Sequence, residues 1–191
     1  MNLKEMLIKE NIVKIKNKDE EPFTLKSGKK SRLFIDIKEA SLNPEILDKI
    51  KWEFFKIYGF NTDPEGLFMK YERIGSVAIG GIPVATIISY FSKVPQIIVR
   101  SEKHDRGTQS QVIGNCKDKR ILLIEDVATS GGSIVNAVRA IREVGGICND
   151  CIVVVDRQEG AKEWCGINDI NLISLLKKSD FGIDENILKG D

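Results

Sequence analysis

The stretch from Lys119 to Val144, KRILLIEDVATSGGSIVNAVRAIREV, constrains the fold more than any other, because three signals of different physical origin meet there without a spacer. Ile121, Leu122, Leu123 and Ile124 form an unbroken aliphatic run, which suits a central parallel strand covered on both faces. The polarity flips at Glu125 and Asp126. Thr129, Ser130, Gly131, Gly132 and Ser133 then supply small residues just where Ile134, Val135, Val138 and Ile141 begin a helical period. The spacing predicts a strand, an acidic turn and a helix start. Backbone amides at such a start lie at the positive end of the helix, so the turn is a ready anion site. A carboxylate pair beside a phosphate is repulsive unless it meets hydroxyls or a divalent cation on the same ligand. The expected ligand is therefore a phosphorylated sugar. The competing use of Thr129 and Ser133 is simple capping of the helix, with the acids solvated.

The rest of the chain alternates in the same way. A strand from Ile74 leads to Gly80 and Gly81 and then to a helix with Pro83 in its first turn, and Gln96 to Arg100 forms another strand. Beyond the central unit come a strand Cys151 to Val155 ending in Asp156 and Arg157, a helical piece from Ala161 to Cys165, and a strand Leu172 to Leu176. This alternation predicts an α/β fold with a mostly parallel central sheet flanked by helices. Three loops, 79–83, 125–133 and 156–160, should gather at the sheet's carboxyl edge, where open α/β sheets bind their ligands.

The amino-terminal part reads differently. Leu3, Met6, Leu7 and Val13 recur at helical spacing through LKEMLIKENIVKI and predict an amphipathic helix. After the charged connector KNKDEEP, Phe23 to Lys26 and Arg32 to Ile37 read as the arms of a hairpin turning at Ser27 and Gly28. Asn43 and Pro44 start a helix whose buried face is Ile46, Leu47, Ile50, Phe54 and Ile57, ending at Gly59, and Asn61 to Gly66 follows as loop. These elements should form a small hood over the carboxyl edge of the sheet.

Lys plus Arg number 29 against 28 for Asp plus Glu, a formal net charge of +1, so no overall field recruits nucleic acid or an anionic membrane. No apolar run approaches the roughly 18 residues of a membrane span, and the chain reads as cytoplasmic. Of the four cysteines, Cys148 and Cys151 form a CxxC, but the only histidine is His104 and no second CxxC completes a metal site. Spacing of three along a strand also predicts thiols on opposite faces, so both read as small buried residues.

LLIEDVATSGGS resembles the phosphoribosyl pyrophosphate (PRPP) motif of the type I phosphoribosyltransferases. The resemblance implies that Glu125 and Asp126 take the ribose hydroxyls, while Ala128, Thr129, Ser130, Gly131, Gly132 and Ser133 wrap the 5′-phosphate. Further segments are similar to orotate phosphoribosyltransferases. FTLKSGKKSRLFIDIK resembles their amino-terminal segment, which assigns Lys26 to the ligand and Phe34 to the base site. In VVVDRQEGA, Arg157 is the counterpart of the arginine that holds the orotate carboxylate, a pairing that suits its planar fork, with Thr129 assisting. A surface ion pair with a neighbouring acid is the competing use of Arg157. AIGGIPVAT resembles the pyrophosphate loop, with Gly80 and Gly81 letting backbone amides approach the leaving group; some relatives carry a lysine where Gly80 stands.

RSEKHDRGTQSQVIG occupies the place of the family's mobile catalytic loop. Arg100 aligns and is counted with the PRPP-binding residues. The cationic residues inside the loop are changed in kind, and Lys103, His104 and Arg106 are the catalytic candidates; arginine cannot act as an acid at neutral pH whereas His104 can, and which of them acts is open. The resemblance implies a single domain over 1–191, with a hood and helices in 1–66, a PRPP-binding core in 67–178 and a tail in 179–191. It also implies a homodimer that transfers the phosphoribosyl group from PRPP to orotate, with Mg²⁺ carried mainly by PRPP and its protein ligands unassigned. The alternatives are a catalytically weak PRPP-binding regulator and a transferase for a purine base.

Overall fold

The computed structural model describes residues 1–17, 19–24, 30–57, 70–101 and 110–182. Helix α1 (Leu3–Lys9) opens on a reciprocal cap, in which Glu5 N donates to Asn2 Oδ1 at 2.9 Å and Asn2 N donates to Glu5 Oε2 at 3.0 Å. The helical period does not reach Val13. Asn11 turns left-handed at φ 56°, Ile12 N donates back to Leu7 O at 3.0 Å, and Val13–Ile15 becomes strand β1. The predicted hairpin exists as β2 (Phe23–Thr24) paired antiparallel with β3 (Lys30–Ser31). Its second arm breaks at Arg32, after which β4 (Leu33–Ile35) pairs with β1. Ile37, read as the end of that extended arm, instead starts the short helix α2 (Ile37–Ala40), whose Ile37 and Ala40 are fully buried.

Helix α3 (Pro44–Ile57) is capped by Asn43, whose Oδ1 accepts from Glu45 N at 3.0 Å. Its buried face runs through Ile46, Ile50, Phe54 and Phe55, while Ile57, expected on it, is exposed. The expected stop at Gly59 and the loop 61–66 lie outside the described residues.

The core follows as β5 (Arg73–Val77), α4 (Gly81–Ser92), β6 (Gln96–Val99), β7 (Val112–Ile113), β8 (Arg120–Ala128), α5 (Gly132–Glu143), β9 (Ile147–Asp156), α6 (Ala161–Ile167) and β10 (Asn171–Lys177). A single 3₁₀ turn, Lys178–Phe181, ends the described chain. Six strands form one sheet in the order β10-β9-β8-β5-β6-β7, parallel throughout except for β7, which runs antiparallel to β6. Strand β7 lies in a segment read as loop; with only two residues it is too short to show a period.

Strand β8 is covered on both sides, as its aliphatic run demands. Ile121 and Leu123 pack under α5 with Ile134, Val138 and Ile141, whereas Leu122 and Ile124 join the cluster that also takes in α1, α3 and α4. Each such side chain, nearly inaccessible here, contributes about 1.5–3 kcal/mol by leaving water. Chain order reverses between β5 and β8. The path from β5 goes outward to β6 and β7, then returns across the sheet to β8, so a crevice opens outside the carboxyl ends of these two strands.

One expectation about the cysteines is corrected. The register of β8 against β9 shifts between Ile121 and Leu122, which face Cys148 and Asp150, leaving Asn149 as an extra residue. The bulge resets the alternation, and Cys148 and Cys151 fall on the same face, in the cluster under α5. All four cysteines are free and buried. Burial pushes the Cys148 thiol up to about 12 and Cys165 up to about 11, which disfavours the thiolate that metal binding or redox exchange would need.

Candidate active site

The crevice at the switch point is a cleft of about 250 Å³. Val77 at the end of β5 and residues 78–80 after it form one wall, the end of β8 with Glu125 and Asp126 another, and Ser133 with Asn136 of α5 a third. The acids do not sit on a turn as expected. Strand β8 runs past them to Ala128, and Glu125 and Asp126 are only 5% and 9% exposed. Two carboxyl groups are thus held side by side on rigid backbone with little water between them.

That arrangement perturbs Glu125. Burial foremost, then the hydrogen bond and charge of Asp126, push its carboxyl well above the ordinary 4.5, against a smaller opposing effect of the Ser133 hydroxyl. The folded protein therefore holds this proton to higher pH than the unfolded chain does. The resulting stability is fully present below about 4.5 and is lost as pH rises through the higher folded value. Glu125→Gln should remove that slope, so its melting temperature should gain on the wild type progressively from pH 6 to pH 9 in calorimetric scans. Parallel curves for the two proteins would show that the carboxyl is not strained by burial.

The glycine-rich turn is open for a ligand. Helix α5 has no side-chain cap, so Ser133 and Thr129 leave the first-turn amides unpaired by side chains, contrary to a purely capping role. Gly131 adopts φ 84°, and a Cβ there would lie 3.1 Å from Ala161 Cα, so only glycine allows this turn to rest on the start of α6. The neighbouring loop is tied in by Arg157 N donating to Ala128 O at 2.9 Å and Ala161 N donating to Thr129 O at 3.1 Å. Gly80 lines the cleft. A Cβ on it would stand 2.3 Å from the Asp126 carboxylate, which fills the space that a side chain would need. Gly81 is not in the lining; a Cβ there would meet Ile124 O at 2.5 Å, so it serves the close approach of α4 to β8.

Of the residues expected from sequence, Gly80, Arg100, Glu125, Asp126 and Ser133 come together in the cleft. Ala128, Thr129, Ser130, Gly131 and Gly132 continue from its edge along the turn. Phe34, 37% exposed on β4, packs against Phe23 at a centroid distance of 5.7 Å and does not line the cleft. Arg157 lies beyond the lining as well, and its Nη2 pairs with Glu159 Oε1 at 2.8 Å, the competing ion pair foreseen for it. Lys26, Lys103, His104 and Arg106 lie outside the described residues. Lys38, Ser101, Gln111 and Asn136 line the cleft without having been singled out. Asn136 stands one turn after Ser133 on the same face of α5; Lys38, Ser101 and Gln111 reach the cleft through tertiary contact. Among the described residues no three metal-binding side chains converge.

A mostly parallel sheet with a buried acid pair and an uncapped, glycine-rich helix start at its switch point defines the type I phosphoribosyltransferase class. The family model for the phosphoribosyl transferase domain matches residues 73–181. An orotate phosphoribosyltransferase from Methanospirillum hungatei is 40% identical over 178 residues, covering 93% of this chain and 95% of its own. Among solved structures, the orotate phosphoribosyltransferase of Aeropyrum pernix superposes with a TM-score of 0.78 at 25% identity, covering 99% of both chains. That of Mycobacterium tuberculosis in complex with PRPP gives 0.72 at 25% identity, over 95% of this chain and 97% of the other. The chain belongs to the orotate phosphoribosyltransferase family.

Proposed function

We infer that the protein transfers the 5-phosphoribosyl group from PRPP to orotate, giving orotidine 5′-monophosphate and pyrophosphate in pyrimidine biosynthesis. The observation that carries this reading is the meeting, in one cleft, of the buried Glu125–Asp126 pair and the open amino terminus of α5, in a chain of this family. A PRPP-bound relative of the same fold supports the choice of donor. We assign the ribose hydroxyls to Glu125 and Asp126, the 5′-phosphate to the turn from Ala128 to Ser133, and the diphosphate to the wall at Gly80 with Arg100. We assign the orotate carboxylate to Arg157, released from Glu159, and the base to Phe34 and Lys26.

The nitrogen of orotate forms the new bond to C1 as the C1–oxygen bond to pyrophosphate breaks. Positive charge grows on the ribose while negative charge grows on the leaving group, so cations at the diphosphate end lower the barrier. Among Lys103, His104 and Arg106, an arginine stabilises charge and the histidine can also donate a proton. Magnesium suits this site as a substrate-borne ion: the Glu125 and Asp126 carboxylates lie beside the proposed diphosphate position, and a cation there would be held mainly by phosphates and water. When bound it neutralises the diphosphate. The described helices include none long and apolar enough to cross a membrane, and the cysteines are unpaired; we place the protein in the cytoplasm, as a homodimer in keeping with the family resemblance.

The test is consumption of orotate, uracil, adenine and hypoxanthine in separate reactions with PRPP and Mg²⁺. Orotate alone should be converted. Conversion of a purine, or tight PRPP binding without turnover of any base, would overturn the reading in favour of a purine enzyme or a regulator.

A further inference from the structure

We propose that Lys38, on the short hood helix α2, is a diphosphate-binding residue that grips the leaving group of PRPP from the hood side of the cleft. The proposal rests on the PRPP reading of this site and adds to it a residue to which no role is assigned above.

Three observations lead there. First, Lys38 lines the same cleft as Ile79, Gly80 and Arg100, and with Arg100 it is one of only two cationic side chains that the described lining contains. Second, its backbone is fixed. Ile37 and Ala40 on either side are buried, Ser41 Oγ donates to Lys38 O at 2.7 Å, and Asp36 N donates to Ile12 O at 3.1 Å, so α2 is pinned to the core and to the chain before β1. The Lys38 side chain itself is exposed, and no ion pair holds it among the described residues. Third, the wall opposite cannot supply this charge. Position 80 has no side chain, and the room above it is occupied by the Asp126 carboxylate, 2.3 Å from where a Cβ would stand.

The polarity of the cleft then fixes which part of the ligand Lys38 meets. The open start of α5 takes the terminal phosphate and the two buried acids take the hydroxyls, which leaves the diphosphate for the end bounded by Ile79, Gly80, Arg100 and Lys38. Four groups of that kind, two backbone-lined and two cationic, are what a polyanionic leaving group needs as its bond to C1 breaks. An ammonium on a flexible stem can follow the departing oxygen.

The decisive measurement uses Lys38→Ala and Lys38→Arg. Binding of inorganic pyrophosphate with Mg²⁺ is read by titration calorimetry, and kcat/KM is measured separately for PRPP and orotate. Lys38→Ala should weaken pyrophosphate and lower kcat/KM for PRPP by about tenfold to a hundredfold. The KM for orotate and the melting temperature should stay unchanged, and Lys38→Arg should recover most of the loss. Unchanged pyrophosphate binding, or an equal loss for orotate, would overturn the proposal. Because the pyrophosphate titration needs no base, a wild-type protein that fails to convert orotate but loses pyrophosphate on Lys38→Ala would refute the orotate reading and leave Lys38 in place.

Discussion

Arg157→Ala should raise the orotate concentration for half-saturation by about thirtyfold or more, the result of leaving a carboxylate in a partly buried site without its cation. PRPP saturation should move little. The Arg157 side chain is 21% exposed at the end of β9, and its ion pair among the described residues is to Glu159, itself 41% exposed, so the variant strands no deeply buried acid there and should fold normally. Initial rates with each substrate varied in turn separate the two effects. Equal losses for orotate and PRPP would assign Arg157 to the general architecture of the site, and unchanged orotate saturation would confine it to the ion pair with Glu159.

The second large effect is expected at Asp126. Asparagine has nearly the same shape, so Asp126→Asn preserves the fit over Gly80 and removes only the charge and one acceptor. Hydrogen bonds from hydroxyls to an ionised group are worth about 1.5–3 kcal/mol, and KM for PRPP should therefore rise about tenfold to a hundredfold. Orotate binding to the enzyme already loaded with PRPP should be spared. Were PRPP saturation unaffected by the substitution, the ribose could not be resting on this carboxylate.

Much of the fold was readable because β8 and α5 announce themselves by period. An aliphatic run of four residues needs cover on two faces, and the structure provides it with α5 on one side and α3 and α4 on the other. The amino-terminal third was harder to read. Val13 fits the helical spacing of Leu3 and Leu7, yet a left-handed Asn11 ends the helix and hands Val13 to a strand in which its partner lies twenty-two residues on, at Ile35. Local pattern cannot reveal a partner that distant. The acids show a different limit. A polar residue after an apolar run reads as the end of a strand, whereas Glu125 and Asp126 stay in the strand and stay buried, an arrangement that only a ligand makes sensible. The bulge at Asn149 likewise has no mark in the sequence, and it alone decides that Cys148 and Cys151 share a face. Lys38, Ser101 and Gln111 lie within segments that the sequence marks, yet only the tertiary contacts show that these particular side chains line the cleft.

The Arg157–Glu159 pair changes what selectivity for the base means. On the assignment above, orotate does not meet a bare cation but displaces a tethered carboxylate of the same chemistry, so recognition is an exchange of counter-ions. Glu159, already half in water, leaves at small cost, and the arginine is never unpaired during the exchange. Uracil has no acid group to offer. It would have to enter beside an arginine still satisfied by its own protein, and so the chain carries within it a competitor that every neutral base must lose to.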